Sequence, residues 1–146
     1  MKIAIGTDHR GFELKLKVID FLKELGHEVI DYGTDSTKRV DYPKYAFLVG
    51  ESINKTADRG ILLCGSGNGI AIAVNKVKGV RCALCYNAEI AYMSRLDNDS
   101  NVLAIPADYL TEEEVKNIIR VWLDTEFLGG RHQRRIDMIT AYENKR

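Results

Sequence analysis

Residues 60–76 read GILLCGSGNGIAIAVNK. Gly60–Cys64 is an apolar run of strand length, and from Asn68 to Lys76 the apolar spacing turns helical. Glycines stand between them at 65, 67 and 69. A plain turn needs one glycine, or two. Three at alternate positions predict a backbone that some group approaches closely. Strand, glycine loop and helix in this order make one βα unit of a parallel sheet.

The same alternation extends outward in both directions. Strands are predicted at Lys2–Gly6, His27–Tyr32, Val80–Tyr86 and Val102–Pro106. Leu14, Val18, Phe21, Leu22 and Leu25 recur at helical spacing, and Gly26 stops that helix. Pro43 fits the first turn of a helix running through Ile53. Thr111 and Glu114 form a capping box ahead of Val115, Ile118, Ile119 and Trp122 on one helical face. A last helix follows Gly129-Gly130, from about Arg131 to Tyr142. Strand–helix alternation of this kind predicts an α/β fold, a parallel sheet with helices on both faces.

The 146 residues suit one domain with a real core of its own. Positive and negative side chains balance at 21 each, so no net field recruits nucleic acid or an anionic membrane. No apolar run is long enough to span a bilayer, and the start MKIAIGTDHRG is too short for a signal-peptide core. Three cysteines, an odd number, predict a reducing, cytoplasmic setting.

In an open parallel sheet, ligands bind beyond the carboxyl ends of the strands. The first strand ends in Asp8 and His9, the third in Cys64 and the glycine loop. If those strands are neighbours, Asp8, His9, Cys64 and Ser66 can reach one small ligand. The loop amides at a helix start make an anion cradle. It is neither a Walker A loop nor a dinucleotide fingerprint, since Ile70 stands where the last glycine would be. A small anion or a developing negative charge fits better than a nucleotide. At that mouth Cys64 reads either as a small buried hydrophobe or as a base whose pKa a helix N-terminus lowers below the ordinary ~8.5. Asp8 reads either as an Asx turn or as a site carboxylate. Cys82 and Cys85, in a strand pattern, point to opposite faces and predict core packing. The three histidines show no ligand spacing, and no metal site is predicted. Arg131, Arg134 and Arg135 put positive charge at a helix start, which a bound anion would explain.

Together GTDHRGFELK, the DYP of Asp41–Pro43, GILLCGSGNGIAIAVNK, GVRCAL, NDSNVLA and GGRHQRRI resemble ribose-5-phosphate isomerase B and its relatives, the galactose-6-phosphate isomerase subunits among them. The resemblance covers nearly the whole chain in order. It implies a Rossmann-like three-layer sandwich of strand order 2-1-3-5-4. It further implies a cofactor-free aldose–ketose isomerase of sugar-phosphate metabolism, working as a homodimer, or a tetramer built from it, with shared active sites. Ribose 5-phosphate to ribulose 5-phosphate is the leading reaction.

Residue by residue, Cys64 matches the base that moves a proton between C1 and C2. Gly65, Gly67, Asn68 and Gly69 match the loop that holds the enediolate, and Ser66 matches a hydroxyl in proton traffic between its oxygens. Asp8 and His9 match a pair on the sugar hydroxyls and the far end of the ligand. Tyr42 matches a pocket tyrosine, Asn98 a substrate-binding asparagine, and Arg131 and Arg135 the arginines on phosphate. Two positions depart. Asp97 stands where the family typically has a ring-opening histidine, and Asp108 where it has a phosphate-binding arginine. Arg10 is a candidate replacement cation. An isomerase of another four- to six-carbon sugar, phosphorylated or not, and a non-catalytic sugar-phosphate-binding subunit are the alternatives, and the intact Cys64 speaks against the second.

Overall fold

The computed structural model describes residues 1–145. Five parallel strands form one sheet in the order β2-β1-β3-β5-β4. They are β1 (Lys2–Thr7), β2 (Glu28–Asp31), β3 (Arg59–Cys64), β4 (Cys82–Leu84) and β5 (Val102–Pro106). Between and after them lie α1 (Phe12–Glu24), α2 (Tyr42–Ser52), α3 (Asn68–Val74), α4 (Ala88–Asn98), α5 (Glu112–Asp124) and α6 (Arg131–Glu143). The sheet order is the one implied by the family resemblance.

Alternation along the strands fills two cores, one on each face. Ile3, Ile5, Ile61, Leu63, Leu103 and Ile105 point toward α1, α4 and α5, where Phe21, Leu22 and Trp122 meet them. Ala4, Leu62, Cys64, Val102 and Ala104 point to α2 and α3, onto Val49, Ile70 and Val74. Strands buried on both faces read as continuous apolar runs, as the sequence does here. Cys85 joins the first core and Cys82 packs against the second, so the pair is divided by the sheet as expected.

Boundaries follow local chemistry. Gly26, at φ +90°, ends α1, its amide donating to the Lys23 carbonyl. The capping box of Thr111 and Glu114 opens α5 in both directions. The strand predicted over Val80–Tyr86 shortens to Cys82–Leu84, because the Arg81 amide donates to the Asn101 side chain instead of a neighbouring strand. The helix predicted to reach Lys76 ends at Val74, and the amides of Lys76 and Val77 tighten the turn by bonding three residues back.

Helix α4 is not anticipated by apolar spacing. Its buried residues are Ala91, Ser94 and Arg95, while Ile90, Tyr92 and Met93 are exposed. The inward stripe is small and polar, so no hydrophobic period announces it. Asn87, whose side chain accepts the Ile90 amide, is the one cap signal available. Among the described residues no helix is long and apolar enough to cross a membrane.

Candidate active site

Strands β1 and β3 are neighbours in register, Thr7 opposite Leu63. Their carboxyl ends therefore bring Asp8, His9 and Cys64 to one edge. The Asp8 amide donates to the Leu63 carbonyl, and Thr7 Oγ1 donates to the same oxygen at 3.0 Å, tying the two strand ends together.

Each glycine of the loop has its own reason. A Cβ on Gly65 would stand 2.5 Å from Cζ of Arg10, whose guanidinium lies over this residue. Gly67 adopts φ +79°, in the left-handed region, and a Cβ there would collide with Leu84. A Cβ on Gly69 would stand 2.6 Å from the Tyr42 ring. The three glycines thus answer in turn to an arginine, a left-handed turn and a tyrosine. The far side of the loop is moored to β5, because Ala107 and Asp108 donate their amides to the carbonyls of Cys64 and Gly65 at 2.9 and 3.0 Å.

Cys64 is 5% exposed. Burial pushes its thiol above the ordinary value, although the amides of Ile70 and Gly67 donate toward the sulfur and pull the other way. The cradle of amides exists, but the expected lowering is overturned: desolvation of the charged form outweighs it. At neutral pH the resting group is a thiol.

Asp8 is buried, and its Oδ1 accepts the Arg10 amide at 2.9 Å. The Asx turn is therefore real, and it engages one carboxylate oxygen. His9 Nδ1 accepts the Val40 amide at 3.2 Å, so the neutral ring carries its proton on Nε2. Ser66 Oγ accepts from the Asn68 amide and side chain at 3.2 and 3.3 Å. Tyr86, which sequence reading did not single out, donates its hydroxyl to the Ser66 carbonyl at 3.2 Å. Arg10 is ion-paired with Asp108, so Asp108 does more than repel an anion: it holds a cation beside the loop.

The remaining candidates lie elsewhere. Helix α4 leaves the carboxyl edge after β4 and runs back to the start of β5. Eleven residues at about 1.5 Å each carry the chain ~16 Å, so Asp97 and Asn98 finish at the opposite edge from Cys64. The Leu128 amide donates to the Leu96 carbonyl, and His132 Nε2 lies 3.4 Å from Asp97 Oδ1. Those contacts put the start of α6, with exposed Arg131 and Arg135, at that same far end. Asp97, Asn98, His132 and Arg135 line a groove of ≈ 910 Å³ between β4, α4 and α6. One chain thus holds two half-sets of candidates at two ends of its sheet. In the sequence His132 has no metal-ligand spacing to draw notice. Its partner is a single carboxylate, and among the described residues no three His, Cys, Asp or Glu side chains are grouped to hold a metal ion.

Comparison with known proteins bears on both ends. The family model described as Ribose/Galactose Isomerase matches residues 3–139. Ribose-5-phosphate isomerase B of Escherichia coli is 47% identical over 146 residues, 99% of this chain and 98% of its own. D-erythrulose-4-phosphate isomerase of Pectobacterium atrosepticum is 38% identical over 147 residues, 99% and 97% of the two chains. The crystal structure of Mycoplasma genitalium ribose-5-phosphate isomerase B with bound ribulose 5-phosphate superposes with a TM-score of 0.95 at 40% identity, covering 99% of this chain and 97% of that one. Sequence likeness and sheet order thus agree from end to end, and this chain belongs to the ribose/galactose isomerase family.

Proposed function

We propose that residues 1–146 form one isomerase domain that converts ribose 5-phosphate to ribulose 5-phosphate without a cofactor, with Cys64 as base. The observation that carries the reading is the sulfur at the mouth of the glycine loop, with the Gly67 and Ile70 amides aimed at it. In the open-chain aldose, the Cys64 thiolate removes the C2 proton, and the electron pair moves through C1–C2 onto the carbonyl oxygen. The enediolate so formed takes hydrogen bonds from the loop amides, donors worth roughly 3–4 kcal/mol each when preorganised. Returning the proton to C1 and shifting the hydroxyl proton, with Ser66 between the oxygens, gives the ketose. Asp8, His9 and Tyr42 hold the sugar.

The active unit is a homodimer in which Asn98, Arg131 and Arg135 of one chain complete the site at Cys64 of the other. What supports this is the separation of the two half-sets, together with exposed Met138, Ile139 and Tyr142 beside the far-end groove. Three unpaired cysteines suit a cytoplasmic enzyme.

A second substrate class has an observation of its own. Asp97 replaces the histidine that opens a furanose ring in the family, and a relative acts on a four-carbon phosphate, whose phosphorylated O4 cannot close such a ring. Exchange of the C2 proton with solvent, measured on ribose 5-phosphate, a tetrose 4-phosphate and free ribose, separates the readings. Exchange with ribose 5-phosphate foremost is expected; exchange with none of the three refutes the isomerase. Mixing inactive Cys64→Ala chains with inactive Arg131→Ala chains is expected to restore up to a quarter of wild-type turnover. A monomer by light scattering refutes the shared site.

A further inference from the structure

At the carboxyl edge, the Arg10 guanidinium lies over Gly65, with Cζ, Nη1 and Nε 2.5, 2.6 and 2.7 Å from where a Cβ would stand. Its Nη2 is the atom paired to Asp108. The arrangement is fixed at both ends. The Arg10 amide is held by Asp8 Oδ1, and the Asp108 amide by the Gly65 carbonyl. Half of the Arg10 side chain is nevertheless open to solvent (56%). A guanidinium carries five N–H donors, and one carboxylate contact leaves donors for a second anion. We propose that Arg10, held by Asp108, binds the phosphate of the substrate, with Asp108 as a positioning residue. The inference rests on the sugar-phosphate reading above.

The alternative within the site is the reacting end of the sugar. The guanidinium stands over Gly65 with its Nη2 turned to Asp108 on the β5 side of the loop, while the sulfur is served by the amides of Gly67 and Ile70. A planar fork of donors is also the group best matched to phosphate oxygens. The carboxylate at 108, repulsive to a phosphate by itself, becomes the mooring of the cation.

Steady-state kinetics with ribose 5-phosphate test this directly. In Arg10→Gln, KM is expected to rise ten-fold or more while kcat falls less than three-fold, the pattern of lost ground-state binding. Arg10→Lys, which keeps the charge and loses the fork, is expected between the two. Asp108→Asn is expected to raise KM about three- to five-fold alone and to add nothing in the Arg10→Gln background, a coupling that a merely structural role would not produce. If wild type turns over ribose 5-phosphate and Arg10→Gln keeps its KM within two-fold, the proposal is overturned. Thermal stabilisation by inorganic phosphate reads the site without turnover. Arg10→Gln is expected to abolish that shift; a full shift in the variant overturns the proposal even if ribose 5-phosphate is not a substrate, an outcome that would sink the parent reading separately.

Discussion

The two edges of the sheet treat their polar groups in opposite ways. At the amino edge Arg95 is 5% exposed and bonded three times over: it donates to the Thr125 and Ser100 carbonyls and pairs with Asp99 at 2.8 Å. Asp99 also takes Arg81, at 3.3 Å. The Trp122 indole donates to Ser100 Oγ, which lies 2.8 Å from Ser94 Oγ. At the carboxyl edge the polar groups keep capacity in reserve. Asp8 uses one oxygen, His9 one nitrogen, and Cys64 collects two amides it does not need as a thiol. A densely bonded buried network rigidifies a fold, and groups with donors or acceptors left over beside a crevice are ready for a ligand.

The sharpest way to break the contrast is Cys64→Ala. Loss of a general base is worth 10²–10⁴, so C2 proton exchange is expected to fall roughly 10³-fold while the melting temperature stays within a few degrees. Activity within a few-fold of wild type would show that the two edges differ in accessibility alone. Because burial raises the thiol pKa, and the base is its deprotonated form, wild-type kcat/KM is expected to climb with pH through about 8.5 and beyond. A plateau already at pH 7 would contradict that.

Asp99→Ala strikes the other edge. It leaves buried Arg95 without its carboxylate, but Asp99 is 35% exposed and the two carbonyl contacts remain, so a cost of about 1–3 kcal/mol is expected. Urea unfolding is expected to report that loss, and a loss under 1 kcal/mol would mean that the carbonyl contacts of Arg95 suffice. Gly67→Ala combines left-handed backbone with the Leu84 collision; strain of about 1–3 kcal/mol and a roughly hundred-fold fall in turnover are expected together. The smallest effect belongs to Trp122→Phe. It removes the indole donor to Ser100 and nothing at the loop, so a stability loss of about 1–2 kcal/mol with turnover preserved is expected.

Much of the fold could be read because each face of the sheet is apolar, and strand alternation such as Ile3, Ile5 against Ala4 needs no side-chain network to explain it. Helix α4 escaped because its inward face is Ala91, Ser94 and Arg95, residues that enter the core through hydrogen bonds. At the site, the glycines, Cys64 and Asp8 were legible from spacing, since a loop between strand and helix has one place to go. Spacing does not reveal which end of a helix a residue occupies until the helix itself is found. Asn98 and Arg131 are therefore named from the resemblance alone, and only the placement of α4 and α6 shows that they lie at the far edge from Cys64 of their own chain. Nor does spacing give a side chain's partner: Asp108 read as repulsion because Arg10, nearly a hundred positions away, could not be placed.

The seclusion of Cys64 has a consequence for survival. Oxidants and electrophiles attack thiolates far faster than thiols. A thiol kept protonated and 5% exposed at rest offers peroxide little to react with. Irreversible steps to sulfinic and sulfonic acid, which start from the thiolate, are slowed at their first stage. The same burial that raises the thiol pKa shields the sulfur from oxidation between encounters with a ligand.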